Sequence, residues 1–327
     1  PGYPGLQWGL PAQRKLKQLW SRERPDAIYL ATEGPLGWSA LRLARRMKIP
    51  VISGFHTNFQ QYSNYFHLGL FHEPAMRYLR WFHNQTQLTL VASTTQQREL
   101  TRLGVQHLSM LGRGVDCEQF HPAHRCETLR SQWGAGAKDT VLLHVGRLSP
   151  EKNPELLVES WSKLKTAYHD AERKLHMVIV GDGPSADELR KRMPDAIFTG
   201  ALTGSALAGA YASADIFVFP SLTETFGNVV TEAMASGLAV CAFDTAAAHQ
   251  HIQDRYSGSL APAGHDQLFS DNLQWLAQDV EGRRSIRLHA RHRACQLDWQ
   301  AIVQRFERYL QHAALSHTIP AQAVPSK

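Results

Sequence analysis

Two successive series of short apolar segments, each followed by a stretch with helical spacing, constrain this chain more than any other feature. In the first series the strand segments are residues 27–31, 51–53, 88–92 and 107–111. In the second they are residues 141–145, 177–180, 196–199, 215–219 and 239–243. Strands separated by helices cannot pair as tight hairpins, and the crossovers favour parallel sheets covered on both faces. The chain therefore reads as α/β with two doubly wound parallel-sheet domains. Its 327 residues exceed one ordinary core and suit that division. The polar stretch 123–140 is the expected link, giving domains at 1–125 and 126–298. A helix over 299–312 is expected to pack back on the first domain, with a loose tail at 313–327. Ser93-Thr94-Thr95-Gln96 predicts a capping-box start for a helix ending at Leu103, with Gly104 as its stop.

The most chemically specific stretch follows the last-but-one strand. Glu224-Thr225-Phe226-Gly227-Asn228-Val229-Val230-Thr231-Glu232 places two carboxylates around a Phe-Gly-Asn turn. Glu224 falls in the loop and Glu232 on the next helix, which Gly237 closes. The amides of Gly227, Asn228 and Val229 open that helix, where orphan donors and the macrodipole favour an anion. Two acceptors for hydroxyls beside an anion site suit a sugar nucleotide. Arg147 and Lys152 follow strand 141–145 through Gly146, a planar fork and a point charge suited to one diphosphate. Gly181-Asp182-Gly183-Pro184-Ser185-Ala186 fits the G-x-G-x-x-A dinucleotide fingerprint. Pro184 and the neighbouring motifs favour a sugar nucleotide over NAD, with small residues letting backbone approach the nucleoside.

These segments, together with Gly146-Arg147-Leu148-Ser149-Pro150-Glu151-Lys152-Asn153, Arg113-Gly114-Val115-Asp116 with Phe120, and Gly54-Phe55-His56-Thr57, resemble the retaining glycosyltransferases of family 4. The resemblance covers nearly the whole chain and includes bacterial glycolipid glycosyl- and mannosyltransferases. It implies a GT-B fold, two Rossmann-like domains facing across a cleft, and a hexosyltransferase. By resemblance Glu224 lies against the donor sugar, Glu232 holds the ribose hydroxyls, and Arg147 and Lys152 receive the leaving diphosphate. His56 is placed near the donor sugar and acceptor. Gly146, Gly183, Leu202, Phe226, Gly227, Asn228 and Val229 line the donor. Retention of stereochemistry is implied in the same way. Arg113-Gly114-Val115-Asp116 either lines the cleft or forms a structural turn.

The base of the donor is expected near residues 199–205, which hold no carboxylate to read guanine, so UDP is favoured. GDP-mannose is the alternative, with Asp182 or Asp195 as the guanine partner. A silent sugar-nucleotide-binding subunit and a same-scaffold isomerase are rivals from other classes. Such transferases open with a strand and a glycine-rich loop, whereas this chain opens with Pro1-Gly2-Tyr3-Pro4-Gly5 and has its first clear strand at residue 27. A chain short at its N-terminus is therefore expected.

Charge is placed unevenly. Residues 1–125 carry 15 Lys and Arg against 7 Asp and Glu, while the whole chain nets +6, so the remainder is slightly acidic. An anionic partner for the first half follows. No nucleic-acid motif accompanies it, and an anionic membrane surface with a lipid acceptor is the expectation. Tyr62, Tyr65, Phe66, Phe71, Tyr78, Trp81 and Phe82 crowd beside Arg77 and Arg80, which suits an interfacial segment or a core helix. No apolar run reaches the length of a membrane span, and Cys117, Cys126, Cys241 and Cys295 lack metal-ligand spacing. A cytoplasmic protein, peripheral on the inner membrane face, is expected. His67, His72 and His83 share no helical face and no Asp-x-Asp occurs, so neither metal nor cofactor is expected.

Overall fold

The computed structural model describes residues 9–56, 72–168, 173–222, 224 and 226–316. The chain divides into two compact units, Pro1–Gly112 with Gln300–Lys327, and Arg113–Trp299. The first unit contains α1 (Gln13–Arg22), β1 (Ile28–Leu30), α2 (Pro35–Arg46), β2 (Val51–Phe55), α3 (His72–His83), β3 (Leu88–Val91), α4 (Thr94–Arg102) and β4 (Leu108–Met110). Its strands pair in parallel in the order β1-β2-β3-β4. β2 is buried along its whole length, as a central strand with both faces covered must be. At the start of α4 the Ser93 hydroxyl accepts the Gln96 N–H at 3.2 Å, while Gln96 Oε1 accepts the Ala92 N–H at 3.1 Å. The reciprocal bond thus falls one residue earlier than in the expected capping box. Gly104 ends the helix at φ +83°.

Part of the aromatic stretch, with Tyr62, Tyr65, Phe66, His67 and Phe71, lies outside the described residues, as do Thr57 and Thr225. Its second half forms α3 and divides between core and surface. Phe82 is fully buried and the Tyr78 hydroxyl donates to the Glu33 carbonyl oxygen at 2.5 Å, so these two are core residues, not interfacial ones. Trp81, Arg77 and Arg80 are exposed. His83 is also buried, its Nδ1 2.9 Å from the Ser53 hydroxyl and its Nε2 3.1 Å from Glu33 Oε1.

The second unit continues with α5 (Glu127–Gln132), β5 (Thr140–Val145), α6 (Pro154–Ala167), β6 (Leu175–Val180), α7 (Ala186–Arg192), β7 (Ile197–Gly200), α8 (Gly204–Ser213), β8 (Ile216–Phe219), α9 (Asn228–Ala235), β9 (Ala239–Phe243), α10 (Ala246–His251), β10 (Ser259–Ala261), α11 (Asp266–Gln278) and α12 (Val280–Ala294). The strands form a parallel sheet in the order β10-β9-β8-β5-β6-β7. β10 was not expected from the sequence, because Ser-Leu-Ala carries no β-branched apolar residue to mark it.

The stretch 123–140 is not the link expected, because it lies inside the second unit, whose boundary falls between Gly112 and Arg113. Arg130 of α5 is 1% exposed and its guanidinium donates to Asp215 Oδ2 at 3.0 Å and to the carbonyl oxygens of Ser213, Gly136 and Asp139. Residues 113–125 also belong with the second unit, because Arg291 of α12 donates to the carbonyls of Phe120 at 2.8 Å and Cys117 at 3.1 Å. The final helix, α13 (Trp299–Ser316), extends past residue 312, so residues 313–316 are helical and not tail. Ala313 packs with Ile52 and Leu90, and the Tyr309 hydroxyl lies 2.7 Å from that of Ser109. Those contacts tie α13 to the first unit.

One buried histidine sets an acid limit on the second unit. His144 in β5 is 1% exposed, and its Nδ1–H donates to the Val218 carbonyl oxygen at 3.0 Å. Burial, assisted by the Lys152 charge and opposed by that hydrogen bond, lowers its pKa to about 4. The unfolded chain has the higher pKa, so it takes up the proton first as pH falls. Stability is then lost between about pH 6.5 and pH 4, by on the order of 3 kcal/mol from this residue. Denaturant titrations across that range should show His144→Asn losing this part of the acid sensitivity. Parallel curves for the two proteins would contradict a neutral buried imidazole.

Candidate active site

In the second sheet the strand order reverses between β5 and β8, which are neighbours paired at Leu142 with Ile216 and Leu143 with Phe217. Loops leaving two such strands turn to opposite sides, and the crevice outside their carboxyl ends is where parallel α/β sheets bind ligands. The loop after β5 carries Gly146, Arg147 and Lys152. That after β8 carries Ser221, Glu224, Phe226 and Gly227. The two loops meet through one ion pair. Lys152 Nζ contacts Glu224 Oε1, and the Ser221 hydroxyl donates to the same oxygen at 2.8 Å. Both charged side chains are largely buried, and Lys152 lies 5.6 Å from the centre of the Phe219 ring. Arg147 is half-buried on the same loop.

Gly227 precedes α9 as its N-cap at φ +89°, and a Cβ there would stand 3.5 Å from Glu224 Cγ. A Cβ would meet Glu224 only at ordinary contact distance, so the left-handed turn is what calls for glycine here. The N–H groups of Asn228 and Val229 open α9 and have no partner inside the helix. Asn228 Oδ1 is buried and has no hydrogen-bond partner among the described residues. Phe226 is 2% exposed, its carbonyl oxygen accepts the Ala247 N–H at 2.8 Å, and the Arg113 guanidinium lies 6.0 Å from its ring centre. Further along α9, Glu232 Oε2 accepts the Tyr211 hydroxyl at 3.0 Å. Burial raises the Glu232 pKa above the usual carboxylate range, only partly offset by the Tyr211 bond. Tyr211 itself is fully buried and raised, first by burial and then by the neighbouring carboxylate.

The glycines of the loop after β6 have a physical reason within the protein itself. A Cβ on Gly181 would come within 1.8 Å of the Gly146 carbonyl oxygen, and one on Gly183 within 2.3 Å of that of Leu148. The loops after β5 and β6 are also laced by Leu148 N–H to Asp182 O and Ser185 N–H to Leu148 O, both at 2.9 Å. Close approach here is between two protein loops. Asp182 is exposed at the carboxyl end of β6 and accepts the Gly183 N–H at 2.8 Å. Asp195 precedes β7 at the opposite edge and pairs with Lys165 at 2.9 Å, which removes it as a reader of the base. Leu202 is half-buried in the loop after β7.

His56 is exposed at the carboxyl end of β2, in the first unit. Its Nε2 lies 2.7 Å from the Tyr29 hydroxyl, and a Cβ on Gly54 would fall 1.9 Å from that oxygen. Arg113-Gly114-Val115-Asp116 carries no regular structure and leads into a turn over residues 117–119. Asp116 Oδ1 accepts the N–H groups of Glu118 and Gln119, Val115 N–H donates to Leu297 O, and Phe120 packs edge-on against Tyr211 at 5.6 Å. Among the described residues no group of His, Cys, Asp or Glu is arranged to hold a metal ion.

Known proteins share this organisation. A model described as "Glycosyl transferases group 1" matches residues 139–279, and one described as "Glycosyltransferase Family 4" matches residues 1–119. A GDP-mannose-dependent alpha-mannosyltransferase of Mycobacterium tuberculosis is 34% identical over 303 residues, covering 92% of this chain and 76% of that protein. The chain belongs to glycosyltransferase family 4. An alpha-monoglucosyldiacylglycerol synthase of Streptococcus pneumoniae is 29% identical over 254 residues, 74% of this chain and 57% of that protein. The crystal structure of Anabaena Alr3699/HepE in complex with UDP superposes with a TM-score of 0.78 at 21% identity, over 92% of this chain and 82% of that one. The fold of this family 4 transferase is thus GT-B, with a parallel α/β sheet in each unit.

Three partners of the site residues were not foreseen from the sequence. Tyr211 is the lone aromatic in the small-residue helix Gly-Ser-Ala-Leu-Ala-Gly-Ala-Tyr-Ala-Ser, a visible signal for a specific contact. Ser221 directly follows Pro220 after β8, and Tyr29 lies in the short β1; neither position carries a pattern that singles it out.

Proposed function

We propose that this family 4 transferase moves mannose from GDP-mannose, with retention of configuration, to a hydroxyl of a membrane lipid. The observation that carries the reading is the Lys152–Glu224 pair at the β5/β8 switch point, beside the N-terminus of α9. The donor diphosphate takes the amides of Gly227, Asn228 and Val229 and the cations of Arg147 and Lys152. Glu224 accepts hydrogen bonds from the hexose, Glu232 from the ribose hydroxyls, and the orphaned Asn228 Oδ1 supplies one further acceptor. In front-face displacement the sugar C1–O bond to phosphate breaks as the acceptor oxygen bonds C1 on the same face. The acceptor proton passes to the departing phosphate oxygen. Charge grows on the diphosphate, and fixed cations and amides aimed there lower the barrier. His56, oriented by Tyr29, is assigned a hydrogen bond to a sugar or acceptor hydroxyl.

GDP is preferred over the UDP expected from residues 199–205 for two reasons. The mycobacterial relative is named for GDP-mannose, and the exposed Asp182 carboxylate at the same sheet edge suits the guanine N1–H and amine. A lipid acceptor accords with the streptococcal relative's name and with the surface of the first unit. α1 turns half-buried Leu16 and Trp20 inward and exposes Arg14, Lys15, Lys17 and Arg22, while α2 exposes Arg42, Arg45 and Arg46. Each cation near an anionic leaflet contributes about 1 kcal/mol. No helix among the described residues is long and apolar enough to cross a membrane, so the contact is peripheral in this reading.

A thermal-shift panel of GDP, UDP and their sugar conjugates, followed by product analysis on anionic lipid vesicles, tests the proposal. GDP-mannose at 100 times its Kd should add about 2.7 kcal/mol, and the lipid product should carry an α-mannoside. A response to UDP alone would overturn the donor, and a β-mannoside would overturn retention. Binding without transfer would leave a silent sugar-nucleotide-binding subunit.

A further inference from the structure

The second half of the chain is slightly acidic, yet one cavity in it is densely cationic. A hollow of about 470 Å³ is lined by Arg125, Lys138, Arg173, Arg283, Arg284 and Arg287, with Asp139 and Asp215 as its acidic residues. It lies at the amino edge of the second sheet, where Thr140 begins β5 and Asp215 leads into β8. β5 runs from this edge toward the candidate active site, and six residues rising about 3.3 Å each put roughly 20 Å between the two.

Neither carboxylate balances the cations. Asp215 is shared by Arg130 at 3.0 Å, Arg287 at 3.2 Å and Arg125 at 3.4 Å. Asp139 is occupied by the N–H groups of Gly136 and Lys174 and by His176. Arg283 is held in place by the Leu276 and Ala277 carbonyls at 2.7 and 2.8 Å. Lys138, Arg173 and Arg284 are exposed at the rim, and no carboxylate among the described residues pairs with them. Burial and their cationic neighbours lower the pKa values of Arg283 and Arg287, although Asp215 opposes this. A concave, low-dielectric wall focuses such a field, and a planar guanidinium fork beside an ammonium matches tetrahedral oxyanions.

We propose that this cavity is a second anion site, for a phosphate-class group carrying at least two negative charges and distinct from the donor diphosphate. Arg283 and Arg287 form its fixed floor; Lys138, Arg173 and Arg284 close on the anion from the rim. A second cavity, lined by Tyr168, Gln278 and Ala277, shares Arg173 and Val280 with the first and gives room for the body that carries the phosphate.

Calorimetric titration with inorganic pyrophosphate at constant ionic strength tests this without reference to turnover. The wild type should bind at two places. Lys138→Ala/Arg284→Ala should weaken one binding phase at least tenfold while leaving the nucleotide thermal shift intact, and Arg147→Ala should affect only the other. Both rim residues are exposed and make no ion pair among the described residues, so their removal leaves the unit folded. Sedimentation with phosphatidic acid vesicles separates the sources. Loss of vesicle binding together with pyrophosphate assigns a lipid headgroup, and loss of pyrophosphate alone assigns a soluble phosphate. An isotherm unchanged by the double substitution, or both phases lost on Arg147→Ala alone, overturns the site.

Discussion

Glu224→Gln should lower kcat/KM by roughly two orders of magnitude while nucleotide affinity changes little. The amide keeps the shape of the side chain and an oxygen for the Ser221 hydroxyl, which now donates at 2.8 Å. It has no charge to offer Lys152 and weakens whatever sugar hydroxyl the carboxylate receives. Each charge-assisted hydrogen bond is worth about 1.5–3 kcal/mol, which is one to two decades of rate. Binding of the nucleotide alone rests on Glu232 and the α9 amides, so GDP should stabilise the variant as it does the wild type. Steady-state kinetics on GDP-mannose and a GDP thermal shift measure the two effects separately. A loss of less than threefold in kcat/KM would remove Glu224 from the reacting centre.

Asp215→Ala should be the most damaging single change to stability. The carboxylate is buried, which raises its pKa, but the Val141 N–H at 2.9 Å and the guanidiniums of Arg287, Arg130 and Arg125 more than offset that and hold it below the usual range. Truncation leaves Arg130, 1% exposed, with only the exposed Glu127 carboxylate at 3.8 Å in place of its buried counter-charge, and Val141 without its side-chain acceptor. Breaking one side of a buried ion pair costs about 3–5 kcal/mol, a large share of the ~5–15 kcal/mol that holds a domain together. For a unit of this size that is a fall in Tm of roughly 10 °C. Asp215→Asn keeps an acceptor for Val141 and should fall in between. Denaturant midpoints for the three proteins give the order directly; equal midpoints for wild type and Asp215→Ala would show the cluster to be energetically idle.

Much of the fold could be read from residue pattern because parallel strands buried on both faces leave continuous apolar runs, and β5, β6, β8 and β9 all do. β10 could not, since three residues of Ser-Leu-Ala carry no run at all. The stretch 123–140 reads as a link because Arg130 is polar by type; only the fold brings Asp215 and three carbonyls around it and makes it core of the second unit. The site divides in the same way. Glycines and carboxylates at fixed offsets mark the loops after β5 and β8, since turn geometry demands them locally. Which partner each side chain meets is decided by strand order, which no local pattern encodes. Lys152 therefore faces Glu224, 72 residues away, and Gly181 meets the loop after β5.

The central claim is that the carboxyl edge of the second sheet, at the β5/β8 reversal, holds a nucleotide sugar. A crystal structure with GDP-mannose bound tests it most directly. The diphosphate should lie within hydrogen-bond distance of the Asn228 and Val229 amides and of Lys152, with the ribose on Glu232 and the hexose against Glu224. A nucleotide seated elsewhere, with Glu224 and Glu232 untouched by it, would contradict the account.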